Sequence, residues 1–186
     1  MNSSMAVILV ICIIAAVAVI ALLFLQKRRS QNLRSRFGPE YDRAMKEHGN
    51  ARRAESVLEQ REKRVEKLHI IKLTNADHER FASAWRADQA RFVDDPKSAV
   101  IEADRLVTEV MQARGYPMSN FEQAAADVSV DHPRVVDYYR RAHEIALRNE
   151  RGEASTEDLR KAMVYYRSLF EDLLETDVRA PQEIRR

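Results

Sequence analysis

An unbroken apolar run from Met5 to Leu25, MAVILVICIIAAVAVIALLFL, limits what this chain can fold into. As a helix these 21 residues are about 31 Å long, the thickness of a bilayer's hydrocarbon core. The run therefore predicts a transmembrane helix over 5–25. The charges around it argue against a cleaved leader. MNSS carries no charged side chain, whereas Lys27, Arg28, Arg29, Arg34 and Arg36 follow the run. A secretory leader has the reverse order, with small residues at its cleavage site. By the positive-inside rule, residues 1–4 are expected outside the membrane and everything from Lys27 onward in the cytoplasm. Cys12, the only cysteine, falls inside the span, so no disulfide can form within one chain, as suits a reducing compartment. Its simplest role is packing or lipid contact, with palmitoylation as the alternative.

The net charge of +2 hides a division along the chain. Residues 26–68 hold 13 Lys/Arg against 7 Asp/Glu, whereas residues 69–175 hold 15 against 20. A basic stalk beside a membrane, with an acidic domain beyond it, is what an anionic inner leaflet favours. Lys27, Arg28, Arg29, Arg34 and Arg36 are accordingly the candidate contacts to anionic lipid headgroups. Nucleic-acid binding is not expected, since the folded part is acidic and lacks basic residues interleaved with aromatic ones.

Punctuation divides the cytoplasmic part. Gly38-Pro39 ends anything continuing from the membrane helix, and Pro39 suits the first position of a new one, running to about His48. After Gly49-Asn50 a helix over 51–68 places Ala51, Ala54, Leu58, Arg61, Val65 and Leu68 at alternating a and d heptad positions. That pattern permits a short coiled coil and self-association through the stalk, or docking on the distal domain, or a solvated helix. His69 to Leu73 reads as an extended connector with Ile70, Ile71 and Leu73 covering an apolar surface. Thr74 caps the next helix, with Phe81, Ala84, Trp85 and Phe92 at near-helical spacing. Asp95-Pro96 opens another, in which Ala99/Val100, Ala103, Leu106/Val107 and Val110/Met111 form one face and Gly115 is the stop. Ser119 is read as the cap of a shorter helix to about Asp127, and Asp131-His132-Pro133 as the start of the next. That helix turns Val135/Val136, Tyr139, Ala142/His143 and Ala146 inward. The last, after Ser155-Thr156, carries the longest stripe: Leu159, Ala162/Met163, Tyr166, Leu169/Phe170 and Leu173. Strand signals are missing. The expected fold class is all-α: an N-terminal transmembrane helix, a helical stalk over 26–68, an antiparallel helical bundle over 69–175, and a flexible tail over 176–186.

The residues of familiar chemistry do not assemble. None of the five histidines, His48, His69, His78, His132 and His143, forms an i, i+4 pair, and there is no HExxH or Cys/His cluster. If one helix held both His132 and His143, they would lie some 16 Å apart along its axis, too far for one metal. There is no GxSxG, and the four glycines are scattered rather than gathered into a phosphate loop. No cofactor, metal or catalytic residue is expected, and the chain does not read as an enzyme. The pairs Tyr138/Tyr139 and Tyr165/Tyr166 predict one ring buried and one at the rim of each helix.

The blocks RFVDDP (91–96), RGYP (114–117), SVDHP (129–133) and TEDLRKAMVYYRSLF (156–170) resemble those of a family of uncharacterised bacterial single-pass membrane proteins. The resemblance covers roughly residues 36–174. It implies a bacterial plasma membrane and a helical cytoplasmic domain, and brings no activity or ligand with it. The sequence as a whole points to a membrane-anchored helical interaction or scaffold module with a protein partner, or alternatively to a helical sensor or small-ligand-binding domain.

Overall fold

The computed structural model describes residues 3–175, with side chains described from residue 11. Among the described residues there are eight helices and no strand, so the chain is all-α as expected. They are α1 (Ser3–Phe37), α2 (Pro39–His48), α3 (Ala51–Val65), α4 (Asn75–Arg91), α5 (Pro96–Ala113), α6 (Phe121–Asp131), α7 (Val136–Glu150) and α8 (Thr156–Glu175). The expected tail over 176–186 lies outside the described residues. The chain divides into two compact units between Leu58 and Glu59.

In the first unit α1 is continuous for 35 residues, well beyond the apolar run. It is long and apolar enough to cross a membrane, and the side chains from Ile11 to Leu25 are all exposed. Gly38, at a φ of 48° that side chains resist, breaks the helix; Pro39 then starts α2 with its φ already suited to a first turn. Gly49, also left-handed, donates its N–H to the Met45 carbonyl and ends α2. The Asn50 side chain then caps α3 by accepting from the Arg53 N–H at 2.9 Å. The buried apolar residues of this unit are Leu33, Phe37, Tyr41, Ala44, Ala54 and Leu58.

The second unit is built on α5, α7 and α8, with α4 against α5 and α6 beside α7. The expected caps are in place at α4 and α5: Thr74 accepts from the Asp77 N–H, and Asp95 from the Ser98 N–H. Every residue of the predicted α5 face and of the predicted α8 stripe is buried. Contacts fix the directions. Asn149 donates to the Lys97 carbonyl and His143 lies beside Asp104, so α5 and α7 run antiparallel. Tyr166 reaches Asp104 and Arg114 reaches the Leu173 carbonyl, so α5 and α8 run parallel. Arg148 meets Asp158 and Tyr138 meets Tyr165, so the bundle is antiparallel between α7 and both α5 and α8, but not between α5 and α8.

Four local expectations are corrected. The cap of α6 is Asn120, not Ser119, and accepts from the Gln123 N–H at 2.8 Å; the helix then runs on to Asp131. Asp131-His132-Pro133 does not open α7. His132 ends α6, donating its N–H to the Val128 carbonyl, and its own carbonyl receives the N–H groups of Val135 and Val136. Helix α3 ends at Val65 rather than Leu68, which lies in the following turn. In the connector Ile70 and Leu73 pack on the core, but Ile71, whose backbone N–H donates to the Arg114 carbonyl, is exposed.

The core reading is tested on α8. Phe170 is buried and its ring stacks on Trp85 of α4 at 4.6 Å between centroids, whereas Glu171 makes a surface pair with Arg167. Phe170→Ala should cost about 3–5 kcal/mol, and Glu171→Ala no more than about 0.5 kcal/mol. Denaturation curves of the two full-length variants in detergent check this; equal stabilities would contradict a core position for Phe170.

Candidate functional site

The five predicted lipid-contacting cations all lie on α1. Lys27, Arg28, Arg29 and Arg34 are exposed and Arg36 is half-buried. They do not share one environment. The Arg28 guanidinium lies 4.7 Å from the centre of the Phe24 ring, at the end of the apolar run. Arg34 sits 5.9 Å from the Tyr41 ring and 3.6 Å from Asp42, so it is turned toward α2. Tyr41 also ties the three helices of this unit. Its hydroxyl donates to Glu55 at 2.9 Å and, with that proton committed, accepts from the Ser30 hydroxyl at 3.2 Å.

In the second unit two of the blocks singled out above converge on the end of α8. In RGYP, Arg114 is buried and donates to the Leu173 carbonyl at 2.6 Å, taking up one of the acceptors left over at that helix end. Gly115 has a φ of 93°, and a Cβ there would stand 2.4 Å from the His69 carbonyl oxygen, so the block needs glycine at this position. Tyr116 donates to Asp131 at 3.1 Å. In SVDHP, the His132 ring is fully buried, with Nδ1 on the Asp172 carboxylate. An ionised carboxylate only accepts, so Nδ1 carries a proton toward it, while Nε2 is buried without a hydrogen-bond partner. Earlier on α6, Asp127, wholly buried, receives Arg64 at 3.0 Å and Gln123 at 2.8 Å, while Arg61 reaches Ser129 at 3.5 Å.

These contacts assign α3's later residues. Arg61 and Arg64 serve α6 of the same chain, so from Glu59 onward α3 docks on the bundle. His132 and His143 share no helix and serve different neighbours. His143 stacks on Phe121 at 3.7 Å, and its Nδ1 is 3.5 Å from the Asp104 oxygen that accepts from Tyr166 at 2.7 Å. Burial, reinforced by Asp104, pushes the Tyr166 hydroxyl far above its usual pKa, so it is a permanent donor. The tyrosine pairs divide as expected: Tyr139 and Tyr166 are buried, and exposed Tyr138 stacks at 5.3 Å on Tyr165, which is half-buried at the rim of the core. No group of three His, Cys, Asp or Glu side chains is assembled to hold a metal among the described residues.

Sequence reasoning missed Asp88. It lies on the inner side of α4, one turn beyond Trp85, and is buried with neither oxygen hydrogen-bonded; the Trp85 indole N–H is likewise unmatched. Burial, with the Glu102 carboxylate adding to it, pushes the Asp88 carboxyl up to about 6 against the opposing pull of Arg91 and Arg105. The only sequence signal was an acidic residue at i+7 from Phe81 and i+3 from Trp85, on a stripe otherwise apolar. No family model matches the chain, and no curated protein or solved structure is significantly similar to it.

Asp88 gives a pH-dependent prediction. Because its folded pKa is raised, ionisation opposes folding: the penalty grows as the pH climbs from about 4 to about 6 and persists above that. Asp88→Asn should therefore stabilise the protein by about 2–3 kcal/mol at pH 7, and the gain should vanish near pH 4. Denaturant titrations of parent and variant across that range check it; a pH-independent difference would overturn the assignment.

Proposed function

We propose that this chain is a single-pass, membrane-anchored helical module that presents its bundle to a protein partner at the cytoplasmic face of a bacterial plasma membrane. The observation that carries the reading is α1: its apolar length matches a bilayer, its side chains from Ile11 to Leu25 are exposed, and five cations follow on the same helix. Those cations orient the helix, and Lys27 and Arg28 lie nearest the apolar run, where an anionic lipid surface would meet them. The partner surface is the outer face of α7 and α8, where stacked Tyr138 and Tyr165 stand near exposed Val164. Rigid aromatic rings at a surface bury much area at small entropic cost, as protein interfaces require.

Orientation and partner contact are tested separately. A reporter fused after Arg186 should be active only in its cytoplasmic form, and replacing Lys27, Arg28 and Arg29 together by Gln should weaken that orientation. A secreted, processed domain would overturn the reading. Tyr138→Ala combined with Val164→Ala, both at exposed positions, should leave the melting temperature within about 2 °C of the parent. The same pair should abolish the crosslinked partner recovered from native membranes; unchanged crosslinking would move the surface elsewhere.

A further inference from the structure

The α2–α3 turn gathers cations outside the set that follows the apolar run. Lys46 precedes the two-residue turn Gly49-Asn50, and Arg52 and Arg53 follow it at once. All three are exposed, and no ion pair engages them among the described residues. The acids nearby are differently placed: Asp42 faces Arg34, Glu55 accepts from Tyr41, Glu40 is buried, and only Glu47 is exposed beside the turn. The turn is therefore locally cationic.

Its height above the membrane follows from the Tyr41 bridge. Ser30 lies five residues past Leu25, about 7.5 Å further along α1. The headgroup layer on each side of a bilayer is about 5–8 Å thick, so Ser30 stands at its outer edge. The Ser30 and Glu55 oxygens bind the same Tyr41 hydroxyl, at 3.2 and 2.9 Å, which places the Glu55 carboxylate within about 6 Å of Ser30. Arg52 and Arg53 are less than one turn from Glu55, and an arginine side chain extends several ångströms. The start of α3 is thereby tied to the headgroup edge at a distance, for the Glu55 carboxylate, inside the Debye length of about 8 Å at physiological ionic strength.

We propose that Lys46, Arg52 and Arg53 form a second contact with anionic lipid headgroups, held at the membrane surface by the Ser30–Tyr41–Glu55 bridge. This rests on the reading that α1 spans the bilayer. On that basis the chain meets the membrane through two elements, the end of the span and a helical turn folded back beside it. The turn's contact depends on lipid charge, whereas the span's does not.

Full-length protein with Cys12→Ser and a single new cysteine, either Gln26→Cys or Ala51→Cys, would be labelled with a fluorophore. It would be reconstituted in phosphatidylglycerol–phosphatidylcholine vesicles carrying a headgroup spin label as quencher. Labels at both positions should be quenched at least twofold. Replacing phosphatidylglycerol by phosphatidylcholine, or combining Arg52→Gln with Arg53→Gln, should halve the quenching at 51 and leave that at 26 unchanged. Tyr41→Phe, which removes the bridging hydroxyl, should do the same. Quenching at 26 but not at 51 overturns the second contact while the anchor stands. No quenching at either position overturns the anchor itself. Quenching at 51 that ignores lipid charge and the arginines overturns the headgroup assignment, and indifference to Tyr41→Phe overturns the bridge.

Discussion

Helix α8 must satisfy two neighbours at once, and the bundle depends on how it does so. Leu159, Ala162, Met163, Tyr166, Leu169, Phe170 and Leu173 are all buried, and they face α5 on one side and α7 on the other. A stripe that wide can be covered only by a helix pair. The short link from Glu150 to Thr156 forces α7 antiparallel to α8. Helix α5, arriving earlier in the chain and antiparallel to α7, is then parallel to α8. Tyr166 fixes the register of that parallel contact through Asp104, and Arg114 closes its far end on the Leu173 carbonyl. Trp85 of α4 completes the cover by stacking on Phe170.

Buried polar side chains at the ends of elements reach across to other elements, whereas Asp88, within a helix pair, has neither oxygen hydrogen-bonded. Asp127, His132 and Arg114 each find a partner far along the chain, and each secures a junction: α3 to α6, the α6–α7 turn to α8, and the α5 terminus to α8. Removing Arg64 or Asp172, the exposed member of its pair, strands the buried Asp127 or His132 in a low-dielectric interior, so these contacts restrict the bundle to one arrangement of its ends. Asp88 lacks that compensation, and a carboxyl in its position opposes folding whenever it is charged. It marks the α4–α5 contact as the place where stability is given up without a structural return.

How much of this could be read in advance follows from the range of the interactions. The apolar faces of α5 and α8 and the caps Thr74 and Asp95 are properties of a few consecutive residues, and they were legible. Ser119 and Asn120 are neighbouring residues of similar capping ability, so sequence could not choose between them. Asp131-His132-Pro133 misled for a related reason: the residues that favour a helix start also favour the turn after a helix end. Here the preceding helix claimed His132, because its ring had Asp172 to meet, 40 residues away. Arg64 with Asp127 and Arg114 with Leu173 are more distant still and were invisible for that reason. The direction of α5 relative to α8 was likewise set by tertiary contacts and not by any local pattern.

The heptad reading of α3 shows the same limit from the other side. Ala54, Leu58 and Val65 are buried as a seam requires, yet Arg61 stands in that seam and an arginine there weakens any pairing between chains. Within the folded chain Arg61 has Ser129 to bind, and Arg64, three residues on, has the buried Asp127. A charge that would be a defect in a coiled coil is thus a docking contact here. The early part of α3 has a different role, since Glu55 accepts from Tyr41 and thereby belongs with α1 and α2. One helix therefore serves two compact units, and its polar residues, more than its apolar ones, tell which half serves which.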